Sequence, residues 1–120
     1  MARARFPNFV FGTGQEPDPR FTMANERTYL AWIRTSLALL AGGIALEVLG
    51  LGLHEGLRLA ASLTLMVAAI AGAPMAYLSW ARNERALRRN TPLPASPFGL
   101  PLALCVVVAG VLVFLAYLLR

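Results

Sequence analysis

The stretch LAASLTLMVAAIAGAPMAYLSWA, Leu59 to Ala81, runs for 23 residues without one charged side chain. At about 1.5 Å per residue a helix of that length reaches roughly 34 Å, enough to cross a hydrocarbon core of about 30 Å. Inside lipid a helix is the form in which one segment satisfies all its own backbone polar groups. The stretch therefore reads as a transmembrane helix. Pro74 is expected to kink it by freeing a carbonyl one turn earlier.

Toward the N-terminus, Gly50, Gly52, His54, Glu55 and Gly56 read as a tight turn. Before that turn the chain is apolar from Thr35 to Leu53 except for Glu47, and counting from Thr28 gives a first span of 26 residues, 28–53. Asp18 suits an N-cap and Pro19 a first helical position, so an amphipathic cytoplasmic segment, Arg20 to Thr28, is expected to lead into this span. Residues 1–17 read as a flexible cytoplasmic leader with no apolar core of a secretory signal. Phe6, Phe9, Val10 and Phe11 could rest on headgroups beside Arg3 and Arg5.

Toward the C-terminus the second helix is expected to run on through the basic segment Arg82 to Arg89, and Thr91 to Pro97 forms an extended connector. A third span follows over 98–119, uncharged from Phe98 to Leu119, with Pro101 in its first turns. The predicted fold is an all-α integral membrane protein: a three-helix membrane domain over 18–120, with spans about 28–53, 59–81 and 98–119.

Composition agrees. The 120 residues are 58% hydrophobic and 14% charged, against about 25% charged in soluble domains. No stretch is long or polar enough for a separate enzymatic domain. All eleven basic residues are Arg and the net charge is +5. In a membrane chain this reports topology and anionic headgroups rather than nucleic acid. Three spans put nine of the eleven Arg on one side, with Arg58 and Arg120 opposite. The positive-inside rule makes that side cytoplasmic, N-in and C-out. Cys105 and His54 are each the single residue of their type, so neither a disulfide within the chain nor a His/Cys metal set is expected.

The first span carries the chemistry. Arg20, Arg27 and Arg34 recur every seven residues, within about 20° of one another per step on a helix. The same face continues as Ala31, Ala38, Ala41, Ala45 and Gly52. An Arg in hydrocarbon costs about 3 kcal/mol and needs a partner or water. Two readings stay open: Arg34 snorkels to the headgroups, or Arg27 and Arg34 face a hydrated cavity that accepts anions. Arg82 and Arg85 lie at the same membrane surface. Asn-Glu-Arg occurs twice, at Asn25-Glu26-Arg27 and Asn83-Glu84-Arg85, which makes Glu26 and Glu84 candidate charge partners for the Arg. Glu47 is the one acid within an apolar span, on a line with Ser36, Leu40, Gly43 and Gly50; pairing with Arg58 is favoured over a functional role. Seams of small residues, Ala38, Ala41 and Ala45 on the first span and Ala68, Gly72 and Ala76 on the second, suit close helix packing within or between chains. No catalytic constellation is present, and neither enzymatic activity nor a cofactor is expected.

The run Asp18-Pro19-Arg20, then Ala24-Asn25-Glu26-Arg27-Thr28-Tyr29-Leu30-Ala31-Trp32-Ile33-Arg34-Thr35-Ser36-Leu37-Ala38, resembles the signature of the YidH-like bacterial membrane family, a group of unknown function with three predicted spans. The resemblance covers residues 18–120, by motif at the start and by pattern beyond, and implies a multi-pass protein of the bacterial inner membrane. The same signature is similar to the membrane domain of the fungal vacuolar transporter chaperone complex, whose oligomeric channel passes polyphosphate. That likeness implies a polyanion-guiding role for Arg20, Arg27 with Glu26, and Arg82 or Arg85. Arg34 fits the bacterial pattern and departs from the fungal one. The leading expectation is a homo-oligomeric, channel-like conduit for anions or polyphosphate, lined by Arg20, Arg27 and Arg34. The alternative is a non-transporting scaffold or accessory subunit binding partner helices and anionic membrane lipids.

Overall fold

The computed structural model describes residues 5–95 and 99–120. Arg3 and the connector residues Ser96, Pro97 and Phe98, the last expected to open the third span, lie outside them. The described residues form four helices and no strand: α1 (Asn8–Phe11), α2 (Pro19–Leu49), α3 (Glu55–Arg89) and α4 (Gly99–Leu118). The last three are each long and apolar enough to cross a membrane.

Local chemistry sets the ends. The Asp18 carboxylate accepts the Arg20 backbone N–H at 2.9 Å, and Pro19 occupies the first helical position. α2 stops at Leu49, four residues short of the expected Leu53, because Gly50 leaves the helical conformation and its carbonyl accepts the Leu53 N–H at 3.0 Å. The expected turn is shorter too. His54 caps α3, its Nδ1 accepting the Leu57 N–H at 3.3 Å, so Glu55 and Gly56 are already helical. Glu55 then sits where the positive end of the helix dipole favours an acid. The His54 N–H donates to the Ala116 carbonyl at 3.0 Å, which ties this turn to the end of α4.

α3 runs through Pro74 and on to Arg89 without a break. Asn90, with φ of 58°, ends it in the left-handed conformation, one that Asn tolerates better than most residues. At about 1.5 Å per residue α3 is roughly 52 Å long, so its basic last turns reach beyond a core of about 30 Å. The molecule is a rod of 63 × 23 × 21 Å.

α3 is the central element, with α2 packed antiparallel on one side, α4 on another and α1 against its far end. The buried apolar residues of the helical pairs are small: Ala61, Ala69, Ala76, Ala81 and Ala86 on α3, Ala109 and Ala116 on α4. Large side chains such as Leu37, Val48, Ile70 and Phe114 point outward. This is the arrangement expected where lipid surrounds the bundle and close backbone approach holds it. Gly72 lies so close to Ser36 that a Cβ there would sit 2.6 Å from Ser36 Oγ, and Ser62 Oγ donates to the Gly43 carbonyl at 2.8 Å.

These contacts decide which row of α2 packs within the chain. The seam Ala38, Ala41 and Ala45 is exposed, and Ser36 and Gly43 make the buried contact with α3. The interface is thus the line that carries Glu47. The seam expected on α3 does pack: Ala76 is buried and Gly72 meets Ser36.

Candidate functional site

Eight described Arg gather at one end of the rod. The start of α2 meets the end of α3 there, because Asn25 contacts Glu84. The joint is a polar cluster around the Glu84 carboxylate, which is 1% exposed. Thr22 Oγ1 donates to it at 2.9 Å and Asn25 Nδ2 at 3.2 Å; Asn25 Nδ2 also donates to the Trp80 carbonyl at 3.0 Å. Asn83 Nδ2 donates to Asn25 Oδ1 at 3.3 Å. A buried carboxylate is tolerable only when its lone pairs are engaged, and here neutral donors engage them.

The two Asn-Glu-Arg triplets therefore do meet, in a different way from the one expected. Glu84 is held by Thr22 and Asn25 rather than paired with Arg27 or Arg34, because it points into the α2–α3 interface while those Arg are exposed on the other side of α2. Glu26 is exposed as well. Among the described residues Glu26, Arg27 and Arg34 make no ion pair. Arg20 is exposed and bound to Asp18, Nη2 to Oδ2 at 2.9 Å. That contact, followed by the Arg20 backbone N–H, holds the Asp18 carboxyl below its ordinary range.

Two basic surfaces result. On α2, Arg20, Arg27, Ala31, Arg34, Ala38, Ala41 and Ala45 form one exposed strip on the side away from α3. Depth along it follows from the packing: Ser36 is level with Gly72, so Arg34 lies well inside the apolar stretch that ends at Ala81. On α3, Arg82, Arg85 and Arg89 line a cavity of about 280 Å³ with Ala86, Thr91, Pro92 and Pro94. No α2 residue lines it, so a single protomer does not bring Arg82 and Arg85 together with the α2 Arg.

The leader is built into this end of the molecule. Val10 is wholly buried. Arg88, 6% exposed, donates through Nε to the Thr13 carbonyl at 2.8 Å, through Nη2 to the Phe11 carbonyl at 2.9 Å and through Nη1 to Glu16 Oε1 at 3.1 Å. The Gln15 N–H donates back to the Arg88 carbonyl at 2.9 Å. Gly14, with φ of +64°, passes so close that a Cβ would collide with that carbonyl. Arg5 also pairs with Glu16, and both Arg5 and Arg88 lie over the Phe11 ring. Phe11, Tyr29, Tyr77 and Trp80 form a connected ring cluster beneath. Arg88, Asn25 and Thr22 are not among the expected site residues. The repeated Asn before each Glu-Arg was the available signal for the joint.

At the opposite end Glu47 and Arg58 are paired, Oε1 to Nε at 3.6 Å, and Arg58 Nη1 donates to the Gly50 carbonyl at 3.2 Å. This is the favoured expectation for Glu47. The pairing answers the cost of an acid within the span.

The sequence model of a family described as Domain of unknown function (DUF202) matches residues 20–86, from the first Arg of α2 to the basic end of α3. An uncharacterized protein of Mycobacterium tuberculosis (strain ATCC 25618 / H37Rv) is 47% identical over 98 residues, 79% of this chain and 80% of its own length. The inner membrane protein YidH of Escherichia coli (strain K12) is 40% identical over 102 residues, 83% of this chain and 88% of YidH. No solved structure matches the chain.

Proposed function

This chain belongs to the DUF202 family of YidH-like, multi-pass bacterial inner membrane proteins, and on that premise we propose that it works as a homo-oligomeric conduit for anions. Each protomer turns the exposed face of α2 toward a shared axis. Arg27 and Arg34 form stacked cationic rings there, and Arg20, partly neutralised by Asp18, stands at the mouth. The Arg-rich end faces the cytoplasm, in keeping with the bias of basic residues to that side.

The observation that carries this reading is the α2 strip. Its Arg and Ala residues are exposed in the protomer, while the residues that pack on α3 lie on the other side. A face of Arg over small residues is a poor lipid surface: an Arg within hydrocarbon costs up to about 3 kcal/mol. Ala38, Ala41 and Ala45 continue the same exposed face with small side chains, which leave room along a shared axis. Closed cyclic assembly would give each Arg a hydrated axis, and rings of Arg select anions.

Flux from proteoliposomes tests the reading, with chloride, inorganic phosphate and short polyphosphate as cargo. The Arg27→Ala, Arg34→Ala double variant is expected to lose most of the anion flux. In a Cys105→Ala background, Ala38→Cys and Ala45→Cys should cross-link between identical protomers, and the outward Ile70→Cys should not. Wild-type flux no greater than that of the double variant removes the conduit. A hetero-complex without a homo-oligomer would instead favour a scaffold.

A further inference from the structure

The second basic surface has a chemistry of its own. Arg82, Arg85 and Arg89 follow one another at three and four residues, so they share one face of α3. Among the described residues none of the three side chains makes an ion pair or a hydrogen bond, and no acidic residue lines their cavity of about 280 Å³, Glu16 and Asp18 lying in a separate pocket that Arg89 also borders. Three guanidinium groups on one helix face repel one another unless an anion lies among them. The Thr91 hydroxyl, on the same cavity wall, donates to the Ala86 carbonyl at 3.3 Å.

The position of the cavity indicates which anion. Ala68, Ala71 and Met75 stand fourteen, eleven and seven residues before Arg82, on the same face of α3. They line a groove of about 110 Å³ whose other walls are Trp32 and Leu39 of α2 and Leu102 of α4. Met75 precedes Arg82 by seven residues, about 10 Å along the helix. A cationic cavity just past the end of an uncharged span, aligned with an apolar groove within the span, matches the two parts of a phospholipid.

We propose that α3 carries a binding site for an anionic phospholipid: Arg82, Arg85 and Arg89 hold the headgroup phosphate, and one acyl chain runs along the groove of Ala71, Met75 and Leu102. The Arg fork suits phosphate oxygens in pairs. The site is independent of the α2 strip, so it stands whether or not the chain conducts anions.

The test uses the full chain purified in mild detergent, with dioleoyl phosphatidylglycerol and dioleoyl phosphatidylcholine as probes and native mass spectrometry as readout. Wild type should retain the anionic lipid in preference to the zwitterionic one. Each surface Arg contributes about fivefold to attraction by anionic headgroups, so R82Q/R85Q/R89Q should bind it roughly a hundredfold more weakly. Where that variant does not fold, R82Q and R89Q separately should each cost about fivefold. A71W should weaken retention by filling the groove, with the three Arg unchanged. Millimolar inorganic phosphate should not displace the lipid.

Wild-type retention by the Arg variants overturns the site. Displacement by inorganic phosphate overturns the lipid in favour of a free anion. Unchanged retention in A71W overturns the acyl-chain placement, and loss of a homodimer in that variant with lipid retained would assign the groove to a second copy.

Discussion

Arg88→Ala is expected to release the leader from the end of α3 without unfolding the bundle. The side chain donates to two backbone carbonyls, at 2.8 and 2.9 Å, and to Glu16 at 3.1 Å, and is itself only 4% exposed. Hydrogen bonds from a charged donor contribute about 1.5–3 kcal/mol each, so the two carbonyl contacts together hold the leader by roughly 3–6 kcal/mol. Glu16 is 64% exposed, and a pair so accessible to water adds less than about 1 kcal/mol. Freeing the Arg side chain returns up to about 2 kcal/mol of rotamer entropy. The net loss is about 2–4 kcal/mol, a rise in leader opening of roughly 30- to 1000-fold. Amide hydrogen exchange in detergent or nanodiscs reads this directly at Gln15, whose N–H donates to the Arg88 carbonyl. Amides in the middle of α3 should keep their protection. Arg88→Lys keeps the charge but not the fork, so it should fall between wild type and Ala. A Gln15 amide protected equally in wild type and Arg88→Ala would refute the clamp.

The α2–α3 interface and the α2 cap give two further expectations. Gly43→Leu should destabilise the bundle by about 1–3 kcal/mol through overpacking, since even a Cβ would lie 2.9 Å from Met66 Cγ and 3.0 Å from the Ser62 carbonyl. Gly52→Leu, with nothing within 4 Å of its Cβ, should leave the melting temperature in detergent near wild type. The Asp18 cap should show acid sensitivity. Its carboxyl is held below the ordinary 3.8 by Arg20, so its contribution is complete above that value and disappears as pH falls through the lower folded value. The Arg20 amide resonance, followed in micelles, should therefore titrate below pH 3.8. Asp18→Asn should keep the cap without the titration.

Much of the architecture was legible because a bilayer leaves few alternatives. An uncharged run such as Leu59–Ala81 must form a helix to satisfy its backbone, and no tertiary context is needed to say so. The Asp18-Pro19 start was equally local, since an Asx cap and a proline at the first position depend on neighbours in the chain alone. The end of α2 was read four residues too far, because Leu51 and Leu53 are as apolar as the helix before them and hydropathy does not register the conformation of Gly50.

The candidate site divides in the same way. Seven-residue spacing placed Arg20, Arg27 and Arg34 on one face of α2, and the structure keeps them there, exposed. Spacing could not say which face of α2 meets α3, because Ala38–Ala41–Ala45 and Ser36–Gly43 are both rows of small residues. The second row wins because Gly43 receives the Ser62 hydroxyl, Gly72 accommodates Ser36 and Asn25 reaches Glu84. The Asn-Glu-Arg repeat marked the joint but not its bonding, since a carboxylate flanked by Arg in sequence can point away from both in space.

From the amino-acid order alone came the number of spans, their type and the alignment of Arg along one helix, since each depends on periodicity and on the cost of polar groups in hydrocarbon. Packing decided the rest: it turned the Arg face of α2 away from α3, buried Glu84 among neutral donors, and set Arg82, Arg85 and Arg89 apart on a surface of their own. Which faces meet depends on how closely particular backbones can approach, and that is a property of pairs of helices rather than of either one.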